Sequence, residues 1–196
     1  MILGVHSATF VKNWHEDVKP YIHLCKKAGY KSVEVSLLGQ TPSSAKEIAK
    51  LANDLNISIT CTTGLSNEED ISSSDPVIKQ NGVDALKRAI DMTAIMQAKL
   101  LTGVVHAAWG ISNSMGKDKE GKFQNSSHSI KKITSFLSEK NIKLGIEPLN
   151  RYESDFINTV DEGIRLCELI DHPNVGLLLD AYHMNIEEKN MCQSIE

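Results

Sequence analysis

Several features that mark other protein classes are missing from this sequence. Its 21 Lys and Arg are outnumbered by 25 Asp and Glu, for a formal net charge of −4. A phosphate-backbone binder needs a basic face, so nucleic acid is not an expected partner. No apolar run approaches the ~20 residues of a membrane-spanning helix, so neither is a membrane. The opening Met1-Ile2-Leu3-Gly4-Val5-His6 has no basic leader and no small-residue cleavage site, and no signal peptide is expected. The four cysteines, Cys25, Cys61, Cys167 and Cys192, form no CxxC pair. Zinc-knuckle and thiol-redox patterns are therefore absent, and the thiols read as reduced, in a cytoplasmic protein. No GxGxxG occupies the first strand-to-helix turn, which lowers the weight of a dinucleotide-binding fold.

What the chain does have is a repeating alternation. With 196 residues, 41% of them hydrophobic, it is long enough for one substantial core and too short to suggest two domains. Strands are expected at 2–6, 32–37, 57–61, 99–105, 142–147 and 175–180. Helices are expected at 16–28, 43–55, 75–97, 123–140 and 161–170, with another beginning near Ile186. Asp75-Pro76 is a helix start, Asp capping and Pro at the first helical position. A polar loop is expected over 62–74 and a Gly/Ser/Asn-rich one over 107–119, with Lys117 to Glu120 as a mixed-charge solvated segment. Six strands alternating with helices mean a parallel sheet, doubly wound or a barrel. Polar residues stand just past nearly every strand end: His6, Glu34, Thr62, Thr63, His106, Trp109, Glu147 and Asp180. That spread is barrel behaviour, since a doubly wound sheet gathers its site at one switch point. The fold expected is an α/β (β/α)8-type barrel of which about six units are present. At about 35 residues per unit, eight units need roughly 280 residues, so the single domain over 1–196 is expected to lack its last two strands.

Two stretches dominate: Leu144-Gly145-Ile146-Glu147-Pro148-Leu149-Asn150-Arg151-Tyr152-Glu153 and Val175-Gly176-Leu177-Leu178-Leu179-Asp180-Ala181-Tyr182-His183. Each is a short apolar strand that ends on a carboxylate. Successive strand residues face opposite sides. Glu147 and Asp180 thus fall on a face thinned by Gly145 and Gly176, while Leu144, Ile146, Val175, Leu177 and Leu179 face the helices. If these two strands are neighbours they lie ~4.8 Å apart, and the two acids can then share one cation at ordinary ligand distances of about 2.0–2.6 Å. Taken alone, both also fit solvated strand-end acids. His6, His106 and Trp109 fit pocket lining or packing equally well. Glu34 fits a structural or supporting acid, and Arg151 an ion pair.

The segments Glu147 to Glu153, Leu178 to Glu188, and Gly64-Leu65 with Asp70 to Pro76 resemble the ketose 3-epimerases, which act on D-tagatose, D-psicose and L-ribulose within the xylose-isomerase-like barrels. Gly4-Val5-His6 and Gly103 to Gly110 are similar too. The resemblance implies an enzyme that inverts C3 of a free ketose through a cis-enediolate. It also implies one divalent cation, manganese first, with magnesium or cobalt as alternatives. Glu147 matches the first cation ligand and one of the two proton-transfer carboxylates, and Asp180 matches the second ligand. Glu153 and His183 match the residues that bond the O1–O2 end of the sugar; His6, His106 and Trp109 are further candidate sugar contacts, on the polar and aromatic lining expected of any pocket. The family's remaining two ligands lie on strands seven and eight, so the 196 residues alone are expected to be inactive. Full-length family members are expected to be homo-oligomeric. Alternatives are another isomerase or dehydratase of this barrel class, such as hydroxypyruvate isomerase or inosose dehydratase, and an inactive fragment of a 3-epimerase.

Overall fold

A computed structural model describes residues 2–110 and 118–196. Six strands are present: β1 (Gly4–His6), β2 (Ser32–Ser36), β3 (Ser58–Leu65), β4 (Leu100–Ala108), β5 (Lys143–Ile146) and β6 (Val175–Leu177). They form one parallel sheet in strict sequence order, β1-β2-β3-β4-β5-β6. Helices α1 (Lys19–Lys27), α2 (Pro42–Leu55), α3 (Pro76–Ile95), α4 (Lys119–Lys131), α5 (Thr134–Lys140), α6 (Val160–Ile170), α7 (Ala181–Glu187) and α8 (Met191–Ile195) accompany the strands, with short 3-10 turns at Ser7–Thr9 and Asn67–Glu69. An unbroken strand order in which each parallel strand passes to the next through helices is TIM-barrel geometry. Among the described residues β1 and β6 are the outer strands of the sheet.

The expected strands are all found, and the differences lie at their ends. β3 continues to Leu65, so the first part of the expected polar loop is strand. β4 runs on to Ala108, while β5 and β6 leave the ladder before Glu147 and Asp180. The expected helix over 123–140 is two: α4 begins at Lys119, where Asp118 accepts the Gly121 N–H, and ends at Lys131, with α5 starting at Thr134. α1 starts late because Pro20 fits only the first turn. α7 starts at Ala181, five residues before the expected helix at Ile186, because Asp180 caps it. Residues 111–117, most of the Gly/Ser/Asn-rich loop and Lys117 of the mixed-charge segment, lie outside the described residues.

The two faces of the sheet differ as the alternation predicts. Val33, Val35, Cys61, Leu101, Leu144 and Ile146 are buried and join the helix side chains Ile22, Ile48, Leu86, Ile90, Leu137 and Leu166 in one core. The other face is polar and small: Thr62, Thr102, Gly145 and Gly176 stand in one row across four neighbouring strands. A Cβ built on Gly145 comes within 3.0 Å of the Thr102 methyl. That small row keeps the interior open beneath the C-terminal rim.

Candidate active site

A cavity of about 450 Å³ opens at the C-terminal ends of the strands. Its lining comes from every strand end: His6, Glu34, Thr62, Thr63, Trp109, Glu147, Glu153, Asp180 and His183 among others. A larger hollow of about 800 Å³ reaches toward the starts of the strands, past Gly4, Ser32, Ser58 and Leu100. Barrel chemistry sits at the opposite, C-terminal face, and that is where the acids converge.

Glu147 and Asp180 leave the neighbouring strands β5 and β6 at the same rim. Ligand atoms of Glu147, Asp180 and His183 all lie within 4.8 Å of one another. Glu147 anchors its own backbone by donating its N–H to the Gly103 carbonyl at 3.3 Å. Its carboxyl is pushed up from near 4.5 to about 7, by burial first and then by Asp180, Glu34 and Glu153. Burial disfavours the charged form, and like charges add to it. Asp180 commits Oδ1 to the Tyr182 N–H at 2.8 Å. Hard carboxylate oxygens packed this closely suit a divalent cation such as Mg2+ or Mn2+. The mutual repulsion felt by Glu147 is what such a cation would relieve. On the chemistry of the donor set, the residues fit the expected cofactor.

The loop after Glu147 folds around Asn150, which is fully buried. Its Oδ1 accepts the Tyr152 N–H at 2.9 Å, an Asx turn. Its Nδ2 lies 3.0 Å from Glu153 Oε1 and 2.8 Å from His183 Nδ1. Its own N–H donates to the same His183 nitrogen at 3.1 Å. Arg151 forms the expected ion pair, a two-point contact with Glu187 of α7 at 2.9 and 2.8 Å. Glu188 accepts the Val160 N–H at 2.8 Å at the start of α6. The β5–α6 connection is thereby clasped to the C-terminal end of α7, the helix that carries His183.

The remaining candidates divide. His6 lines the cavity, with Nδ1 accepting the Ala8 N–H at 2.9 Å and its ring edge-on to Trp14 at 6.4 Å. Trp109 lines it too, half exposed, over Gly64, where a Cβ would lie 3.4 Å from the indole. Glu34 also lines the cavity and accepts the Thr102 hydroxyl proton at 2.8 Å. His106 is not brought there. It is fully buried against Phe156, its ring centroid 5.8 Å away, and neither ring nitrogen has a hydrogen-bond partner among the described residues. The β3–β4 register jumps from Gly64↔Val104 to Leu65↔Ala108, so residues 105–107 have no partner on β3 and the alternation that would aim His106 inward is lost. Burial, with Lys122 adding to it, holds its imidazole down at about 3. Asn150 and the lining residues Trp14 and Leu178 have no role in the sequence reading. The one signal for Asn150 was an Asn placed to take the N–H two residues on.

A xylose isomerase-like TIM barrel family model matches residues 22–195. The chain is 30% identical over 199 residues to a D-psicose 3-epimerase of Ruminiclostridium cellulolyticum, spanning 98% of this chain and 67% of that protein. It is 30% identical over 193 residues to an L-ribulose 3-epimerase of a Methylomonas species, spanning 98% and 67%. A crystal structure of D-psicose 3-epimerase in the presence of D-fructose superposes with a TM-score of 0.93 at 29% identity, covering 100% of this chain and 68% of that one. The chain thus spans about two thirds of the length of these relatives.

Proposed function

Because the chain belongs to the xylose isomerase-like TIM barrel family, we propose that its rim cluster serves the inversion of C3 in a free ketose, with a divalent cation, manganese in the first instance, held by Glu147 and Asp180. The observation that carries this is the meeting of those two carboxylates with His183 and Glu153 at one cavity on the C-terminal rim. The ketose 3-epimerase relatives supply the reaction class.

The C3 hydrogen of a ketose is acidified by the neighbouring C2 carbonyl. When bound, a divalent cation supplies Lewis acidity that stabilises negative charge on the sugar's O2 and O3. Glu147, at the cavity on the C-terminal rim, is placed to accept the C3 proton on its face of the sugar and to return it. Delivery of a proton to the other face, which needs a second proton-transfer group besides Glu147, gives the epimer. His183 and Glu153 hold the O1–O2 end, and His6 and Trp109 close the cavity around the rest. The cavity of about 450 Å³ suits a monosaccharide, and its described lining includes no lysine or arginine.

The test is C3 exchange. The protein is incubated in D2O with manganese and a panel including D-psicose, D-tagatose, D-fructose and L-ribulose, and deuterium at C3 is followed by NMR together with the appearance of the epimer. Exchange at C3 by Glu147 on its own face of the sugar is expected, and the epimer only where a second proton-transfer group completes the site. A panel in which exchange occurs only at another carbon would assign the site to a different isomerase of the same barrel class.

A further inference from the structure

We propose that Asn150 is a positioning residue that fixes the tautomer of His183, so that His183 meets the ketose as a hydrogen-bond donor through Nε2–H and not as a third ligand of the cation. The proposal rests on the ketose reading for the identity of the ligand, and on local geometry alone for the tautomer.

The chain of assignment starts from a group that cannot be reversed. The backbone N–H of Tyr152 is a donor, and it lies 2.9 Å from Asn150 Oδ1. That contact identifies the acceptor end of the Asn150 amide, so the other end is the NH2 group. One of its protons goes to Glu153 Oε1 at 3.0 Å. The other faces His183 Nδ1 at 2.8 Å. The backbone N–H of Asn150 points at the same nitrogen from 3.1 Å. Two donors converge on Nδ1, so Nδ1 carries the lone pair, and in the neutral ring the proton sits on Nε2. Asn150 is fully buried and His183 nearly so, and an amide turned the wrong way there would oppose donor to donor and acceptor to acceptor.

The consequence concerns what His183 does. A histidine that ligates a metal through Nε2 presents that lone pair outward and donates its other N–H inward, to a carbonyl or carboxylate. Here the inward partners are donors, the reverse arrangement. Proximity alone groups His183 with Glu147 and Asp180 as three possible cation ligands within 4.8 Å. The tautomer separates them into two ligands and one donor. Nε2 lies 3.7 Å from Glu147 Oε1, too far for a hydrogen bond. A sugar oxygen is the acceptor that fits. Because the same amide holds Glu153, Asn150 sets both groups that grip the O1–O2 end of the ketose.

The decisive measurement is a long-range 1H–15N correlation spectrum of the 15N-histidine-labelled protein near neutral pH, with the His183 signals identified by their loss in His183→Gln. A pyridine-like Nδ1 and a pyrrole-like Nε2 are expected, unchanged when Mg2+ is added as a diamagnetic cation. In Asn150→Asp an acceptor faces Nδ1, so the proton is expected to move to Nδ1 or the ring to become doubly protonated, and C3 exchange of the ketose to fall at least tenfold. If Asn150→Asp does not fold, Asn150→Ala removes the amide but keeps the backbone donor, and a mixture of tautomers is expected. A wild-type spectrum with the proton on Nδ1, loss of the Nε2 proton on adding Mg2+, or an unaltered pattern in both Asn150 variants overturns the proposal, whatever the activity. The expected pattern in a protein that exchanges no ketose C3 hydrogen would uphold the tautomer lock and overturn the ketose reading.

Discussion

Glu147 and Asp180 stand at the ends of neighbouring parallel strands, and their carboxylates come within 4.8 Å of each other, with no lysine or arginine ion-paired to either among the described residues. One is largely buried and pushed up to about 7; the other is tied by one oxygen to the first turn of α7. Two acids held this way cost folding energy, and the cost is a measurable signature of the site.

For Glu147 the folded value is raised, so its contribution is neutral below about 4.5 and becomes unfavourable as pH rises through 7. The rise corresponds to roughly 3 kcal/mol at most. Glu147→Gln is therefore expected to raise the melting temperature of the cation-free protein at pH above 7 and to leave it nearly unchanged below 4.5. The same variant should lose C3 exchange by about 10²–10⁴-fold. Melting curves across pH, with and without manganese, check the first part; equal destabilisation at both ends of the range would contradict it.

His183→Ala removes the donor aimed at the sugar and leaves both carboxylates in place. C3 exchange is expected to fall, by an amount of the order of 10²-fold, with manganese affinity changed by less than threefold. Isothermal titration with manganese distinguishes this from loss of a ligand, which would weaken binding far more.

His106 is depressed to about 3, so its contribution is intact above its ordinary value near 6.5 and is lost as pH falls toward 3. Between pH 6.5 and 5 that amounts to about 2 kcal/mol. His106→Leu is expected to flatten this acid slope and to leave the KM for ketose unchanged. Denaturant midpoints at pH 7 and pH 5 measure the first, and a KM shift of tenfold would return His106 to the sugar site.

Gly82 lies inside α3, where alanine ordinarily favours the helix by about 1 kcal/mol. Here a Cβ would stand 2.1 Å from the Glu69 carbonyl and 2.5 Å from Ile71. Gly82→Ala is expected to destabilise instead, by about 1–3 kcal/mol. The denaturant midpoint gives the sign directly.

The sequence alone determined the alternating strands and helices, because apolar period and glycine placement are local properties. Gly145 and Gly176 already put Glu147 and Asp180 on the open face, and Asp75-Pro76 already fixed the start of α3. It also marked Arg151 as half of an ion pair, without naming Glu187. What it left undecided was set by contacts between distant residues. His106 carried the same strand-end signature as His6, and only the lost β3–β4 pairing at 105–107 turned it into the core. Asp180 was legible as an acid at a strand tip, while its second use as the cap of α7 appears only where the backbone leaves the ladder at Leu177. Asn150 read as one polar residue in a motif; its burial between Tyr152, Glu153 and His183 joins residues 33 positions apart. Hydrogen-bond direction and burial are properties of the assembled neighbourhood, which is why the chemistry of the site was decided by the tertiary structure and its location by the sequence.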